Sequence, residues 1–269
     1  MTITQSRRAS LKDNQMRGFP LESRLNGFIS LSEEELEVLR DLHIQRTIHN
    51  NTEHSYEDDD NKSIHIILKG WGYTYKDLPN GKRQLIDILI PGDVAGLRTS
   101  LLGPHHHGFR AIGELETAEI DGRSIVRLFH DWPRIALALF WIANQDAVLI
   151  AERLVDIGRR SAVTRVSRFL LELGARLETV GLATPDGFHC PLTQNDIADA
   201  LGLSAIHVNR VLRQLREQGL LAFRNAMVEF LAPERLIALA QFEAADPPAS
   251  ATTGRPPRRT RPTRDPDQA

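Results

Sequence analysis

Residues 192–221 read LTQNDIADALGLSAIHVNRVLRQLREQGLL, two short amphipathic helices broken by a tight turn. Thr193 is a good N-cap, and Asp196 three residues later can close a capping box on "QNDIADAL". Ile197, Ala198 and Leu201 fall on the inward face, and the small Ala198 admits a close neighbour helix. Gly202 supplies the backbone freedom of a sharp corner, Leu203 plugs that corner, and Ser204 caps the second helix. Val208, Val211, Leu212 and Leu215 form its buried stripe, and Gly219 ends it. A small residue, a turn glycine and apolar positions at these offsets make the helix-turn-helix pattern, in which the second helix enters a DNA major groove.

The side chains opposite that buried stripe are the candidate DNA contacts: Ala205, Ile206, His207, Asn209, Arg210 and Arg213, with Thr193 and Ser204 at the helix starts. Arg210 is the strongest candidate for base readout, because its planar donor fork matches the two acceptors of guanine. Asn209 could read adenine or hold a phosphate. Ala205 and Ile206 cannot donate hydrogen bonds, so they could sense only shape or a thymine methyl. Arg213 and Arg216 suit phosphates, or else a solvated face. Beyond Gly219, "LLAFRNAMVEFLAP" reads as two short strands around Asn225, a wing that brings Arg224 toward the DNA backbone.

Outward from the motif, "SAVTRVSRFLLELGARLETVG" is an amphipathic helix joined to it by "ATPDGFHCP". Before it, "IALALFWIANQDAVLIAERLVDI" is helical over many turns. Ile135, Leu139, Ile142 and Leu149 lie on one stripe that Asp146 interrupts, and this predicts a partner helix and hence a homodimer. From about Ile44 to Ile120 the period shortens. "SIHIILKG", "GWGYTYK", "QLIDILI" and "FRAIGELETAEI" are strand material, "LPNGKR" carries the Asn80-Gly81 pair of a tight hairpin, and "PGD" at 91–93 marks another turn. Upstream, "LSEEELEVL" has a Ser32/Glu35 capping box and predicts a short helix.

The expected class is therefore α+β: an antiparallel, jelly-roll-like β-roll, a long dimerisation helix and a C-terminal winged helix-turn-helix. The boundaries are a flexible 1–20, a sensor roll at 21–130, the long helix at 131–158, a DNA-binding domain at 159–244 and a disordered tail at 245–269. A chain of 269 residues, 41% hydrophobic and 25% charged, suits two packed domains with tails. The formal net charge of -2 argues against a general nucleic-acid coat but leaves room for a local basic surface. One cysteine, Cys190, excludes an intrachain disulfide and any multi-cysteine cluster. No stretch reads as long enough and apolar enough to cross a bilayer, and "MTITQSRRAS" lacks the apolar core of a secretion signal, so a cytoplasmic protein without a membrane partner is expected.

The helix-turn-helix with its wing, the roll segment "GWGYTYKDLPNGKRQLIDILIPGDVAGL" and the long connecting helix together resemble the Crp/Fnr family of bacterial transcription regulators, in order and length, from about Gly27 to Phe242. The resemblance implies a cyclic-nucleotide-binding-like sensor, a dimer through the long helix, a palindromic operator on double-stranded DNA and RNA polymerase as a partner. It places a small-molecule effector pocket at Gly92, Asp93, Gly96, Leu97 and His107. The departures bear on the signal. Cyclic-nucleotide binders of this family carry a Gly-Glu-Leu triplet after the "GD" turn, then an Arg-Ser or Arg-Thr pair. Here the first reads Ala95-Gly96-Leu97 and the second falls in "PHHHGF", so the resemblance does not extend to cyclic AMP. Iron–sulfur sensing as in Fnr needs several cysteines, so no cofactor is expected. Many members place a glutamate two residues after the recognition-helix cap, where Ile206 stands, while Arg210 matches the family's base-reading arginine.

Other features compete for attention. "HHH" at 105–107 invites a metal, but consecutive extended side chains point apart. A cupin-like enzyme would need glutamate where Ala111 and Ile112 stand, so neither metal nor catalysis is expected. "EDDDN" at 57–61 reads as a solvated loop. Cys190 could be a redox switch or an inert thiol, and the tail arginines 255–264 could attract DNA or solubilise the chain.

Overall fold

The computed structural model describes residues 19–41, 44–49, 53–55, 63–97 and 108–242. The acidic run, the His105–His107 run and the arginine-rich tail lie outside the described residues, as does His107 of the expected effector pocket. Helix α1 (Pro20–Leu25) and helix α2 (Glu33–Asp41) lead into the roll. The Ser32 amide donates to Glu35 at 2.7 Å while the Glu35 amide donates to the Ser32 hydroxyl at 3.2 Å, closing the expected capping box.

The roll is one antiparallel sheet. Strands β1 (Ile44–Ile48), β6 (Gly108–Ile120), β3 (Ile64–Asp77) and β4 (Arg83–Leu89) lie side by side in that order, with β2 (Glu53–Ser55) on β6 and β5 (Val94–Ala95) on β3. The β3–β4 hairpin turns at Asn80-Gly81, where Gly81 takes φ +76°. Alternation sends Ile64, Ile66, Ala118 and Ile120 into a core shared with α1 and the long helix. Trp71, Tyr73, Leu85, Ile88 and Ile90 join a second core that continues into the C-terminal domain.

Helix α3 (Ile125–Asp131) precedes the long helix α4 (Pro133–Arg159). Here the expected dimer stripe is corrected. Ile135, Leu139 and Ile142 are buried, and they pack with Leu21, Leu25, Ile64 and Ile120 of the same chain. Leu149 is half-buried. Asp146, taken as the polar break of a dimer seam, bonds Arg24 of α1 at 2.6 Å. The exposed apolar stripe is the other one: Leu137, Phe140, Val148, Leu154 and Val155, with Phe140 67% and Leu154 71% exposed. α4 is also long and apolar enough, by length and composition, to cross a membrane, which corrects the reading of its hydropathy. It sits instead with one face in the roll core and with Arg153 and Asp156 buried in ion pairs.

The C-terminal domain runs α5 (Ala162–Thr179), β7 (Ala183–Thr184), β8 (Gly187–His189), α6 (Gln194–Leu201), α7 (Ala205–Glu217), β9 (Leu221–Arg224), β10 (Met227–Phe230) and α8 (Pro233–Ala240). Its small sheet has the order β7-β8-β10-β9, all antiparallel. A Cβ at Gly187 would lie 2.0 Å from the Val228 carbonyl oxygen, so the contact of β8 with β10 requires glycine there.

Candidate nucleic-acid interface

Local chemistry sets the angle between α6 and α7. Thr193 and Asp196 close the capping box, with the Asp196 amide donating to the Thr193 hydroxyl and the Thr193 amide to the Asp196 carboxylate. Gly202 ends α6 in the left-handed region, φ +64°, and its amide bonds back to the Ala198 carbonyl. Ser204 then caps α7 by accepting from the His207 amide at 3.2 Å. Ile197, Ala198, Leu201, Val208, Val211, Leu212 and Leu215 are all buried in one cluster, where Leu203 packs at the corner. Each helix end is satisfied and each apolar face covered, so α7 stands as a rigid element with its polar face outward.

At about 100° per residue, the line directly opposite the buried stripe of α7 runs through Ile206, Arg210, Arg213 and Glu217. All four are exposed. The Arg210 guanidinium has no hydrogen-bond or ion-pair partner among the described residues. Arg213 bonds Glu217 one turn on, at 2.8 Å, and Asn209 donates to Gln194 of α6 at 3.1 Å. His207 and Arg216 are exposed on the flanks, and Ala205 is half-buried. Arg224 is exposed beside the Asn225–Ala226 turn, where both residues have positive φ, so the wing carries it on the same domain. Of the residues expected to meet DNA, Ile206, His207, Asn209, Arg210 and Arg213 are exposed on α7 and Arg224 on the wing, while Ala205 is half-buried and Thr193 and Ser204 are engaged as caps.

The element that sequence reasoning missed lies behind this surface, where the roll grips the helix-turn-helix. From β4, Arg83 donates to Asp196 at 3.0 Å and to Asp199 at 2.9 Å on α6, and to the Tyr73 hydroxyl at 2.5 Å. Gln84 donates to the Ala200 carbonyl at 3.3 Å. A second set of contacts gathers where β4, α4 and α5 meet. Arg176 donates to Asp93 at 2.5 Å, Glu172 at 3.0 Å and the Ile88 carbonyl at 2.9 Å. Arg153 donates to Glu172 at 2.9 Å and to the Ile86 carbonyl at 3.2 Å. Asp93 also accepts from Arg24 and from the Ile90 amide.

Of the residues expected to line an effector pocket, Asp93 and Leu97 are buried in other company. Asp93 is buried with its acceptors engaged by two arginines and a backbone amide, so it joins domains instead of lining an open pocket. Gly92, φ +93°, backs onto the Pro20 carbonyl, and Leu97 is core. Gly96, at φ +83°, turns the chain between β5 and Leu97.

The electrostatics of the junction follow from burial. Burial lifts the Asp87 carboxyl to about 7, opposed chiefly by Arg176, which lies 3.9 Å away. Burial lifts Asp146 as well, against the pull of Arg24. Glu172 is equally disfavoured by burial, but Arg153 and Arg176 outweigh that and hold it below the usual carboxylate range. Cys190 is buried, and burial pushes its thiol up to about 12, so of its two readings the inert one fits. Among the described residues no three His, Cys, Asp or Glu side chains are placed to share a metal ion.

Residues 45–131 match the cyclic nucleotide-binding domain family, and residues 164–239 match the Crp-like helix-turn-helix domain family. The nitrogen fixation regulation protein FixK of Bradyrhizobium diazoefficiens is 30% identical over 200 residues, 74% of this chain and 83% of that one. The transcriptional activatory protein AadR of Rhodopseudomonas palustris is 30% identical over 186 residues, 68% of this chain and 76% of its own. Among solved structures, FixK2 from Bradyrhizobium japonicum superposes with a TM-score of 0.66 at 27% identity, covering 75% of this chain and 99% of that one.

Proposed function

Because the chain belongs to the Crp/Fnr family of transcription regulators, we propose that it works as a homodimer whose two α7 helices read a palindromic operator on double-stranded DNA, and that the grip of the roll on α6 sets their spacing. The observation that carries this is Arg210: an unpaired guanidinium on the outward midline of a helix fixed by caps at its start and by a fully covered back. Arg210 reads a guanine through its O6 and N7 acceptors, while Arg213, Arg216 and Arg224 take phosphates. The regulator acts on RNA polymerase at neighbouring promoters, in the cytoplasm where its DNA lies.

The dimer forms on the exposed stripe of α4. Leu137, Asn144, Ala151 and Gly158 recur every seven residues, and Phe140, Ala147 and Leu154 recur three residues after each of the first three. Small side chains on this seam let two helices approach, while exposed Phe140 and Leu154 supply the apolar area that a partner would cover. Phe140→Glu is expected to dissociate the dimer and, with it, operator binding. Ile142→Ala instead lowers thermal stability by about 2–5 kcal/mol, with the dimer retained. Sedimentation and melting curves of the two variants separate the faces, and the dimer assignment is wrong if Phe140→Glu stays dimeric.

Asp93 and Arg176 also favour a second reading: a regulator that binds its operator without a small-molecule effector, with the roll serving protein contacts. The site that effectors of a cyclic-nucleotide type would claim is here bridged to the DNA-binding domain by charge. Operators selected from random DNA, followed by binding across a metabolite panel, decide between the readings. Unchanged affinity throughout supports the effector-free one.

A further inference from the structure

The recognition helix carries one large apolar side chain where water should be its only neighbour. Ile206 is 76% exposed on the outward midline of α7, one turn before Arg210, in a helix whose exposed positions are otherwise polar. It has no role in the core, which Val208, Val211, Leu212 and Leu215 complete. An isoleucine cannot exchange hydrogen bonds with a base edge, and the one apolar group that base pairs present in the major groove is the thymine 5-methyl. We propose that Ile206 is a specificity-determining residue that packs on a thymine methyl and so selects T·A at one position of each half-site.

The inference rests on α7 being the operator-reading helix, and it adds which base that helix demands. Four residues along α7 cover about 6 Å. Successive base pairs rise about 3.4 Å. The thymine therefore lies within about two base pairs of the guanine held by Arg210. Charge sets the occupant: Arg210 and Arg216 are exposed on this helix without an ion-pair partner among the described residues, whereas Arg213 is paired with Glu217, so the face around Ile206 is cationic and the partner that covers it is anionic. Removing most of an exposed side chain leaves the fold intact, so the site can be tested without unfolding the domain.

The experiment starts from an operator selected by the full-length protein. Each thymine within two base pairs of the Arg210 guanine is replaced in turn by deoxyuridine, which deletes only the methyl. At one of these positions the wild type is expected to lose about three- to fivefold in affinity, the scale of one buried methyl group. Ile206→Ala should bind the thymine operator more weakly by a similar factor and be indifferent to uracil at that position. Wild-type binding unchanged by uracil at every position, or Ile206→Ala still preferring thymine there, overturns the assignment. Arg210→Ala is measured in parallel. If Arg210 proves necessary while uracil costs nothing, only the role of Ile206 fails. If no operator is selected, or Arg210→Ala binds it undiminished, the operator-reading role of α7 fails and this inference with it.

Discussion

Arginine does opposite work on the two sides of the helix-turn-helix. Behind it, Arg83, Arg153 and Arg176 are each engaged by carboxylates or backbone carbonyls of another element, and they tie β4, α4, α5 and α6 into one body. In front, Arg210 and Arg224 are exposed and have no partner among the described residues. The contrast teaches that the arginines of the junction are spent on holding the fold, Arg176 alone reaching Asp87, Asp93, Glu172 and the Ile88 carbonyl, while the exposed guanidinium of Arg210 keeps its donors for a ligand.

Removing one arginine from each side should therefore have unlike consequences. The largest effect is expected from Arg176→Ala, which leaves Asp93 with Arg24 and Glu172 with Arg153 as their remaining arginines and takes from buried Asp87 its chief opposing charge. Losses of about 3–5 kcal/mol follow when one member of such a pair is removed. Thermal unfolding measures it, and an unchanged melting temperature would dissolve the contrast. Next comes Arg210→Ala, expected to leave the melting temperature and the dimer alone while costing about 1–3 kcal/mol of discrimination at one base pair. Fluorescence anisotropy on operator and mutated operator reads this out, and equal losses on both would make Arg210 a phosphate contact.

The pH dependence sharpens the buried side. Asp87, raised to about 7 mainly by burial, keeps in the fold a proton that the unfolded chain releases near pH 4. More protons are bound in the native state between those values, so this stabilisation is complete below about pH 4 and is lost as pH rises toward 7. Its neighbours are Asp93, Asp146, Arg153 and Arg176, and burial raises Asp146 too, with the same sign. Lowering the pH from 8 to 5 should raise stability by on the order of 1–2 kcal/mol. Asp87→Asn should flatten that dependence, and a profile identical to the wild type would remove Asp87 from the account. The smallest effect is expected at the wing. Arg224→Ala should weaken binding similarly on all sequences and lower the salt slope by about one, measured by titration at several salt concentrations.

Legibility in the sequence followed the range of the interactions. The helix-turn-helix could be read because its determinants are local: capping hydroxyls three residues from the amides that donate to them, a glycine at the corner and a stripe repeating within 13 residues. The hairpin at Asn80-Gly81 was readable for the same reason. α4 misled because it is apolar on two faces, and periodicity locates both stripes without saying which one its own chain will cover. Asp93 misled because its decisive partners, Arg24 and Arg176, lie 69 and 83 residues away, and no local pattern announces them. The same distance hid Arg83, which reads as hairpin punctuation until the fold brings Asp196 and Asp199 against it.

The clamp on α6 has a mechanical corollary. The reading head is fastened at several points: by the covalent joint near Arg160 and Ser161, by Arg83 bridging two aspartates with Gln84 beside it, and by Arg176 of α5 on Asp93 and the Ile88 carbonyl. An apolar core runs between the same two bodies. Turning the head against the roll therefore requires these fastenings to give way together, and losing any one of them alone leaves the others to hold its angle.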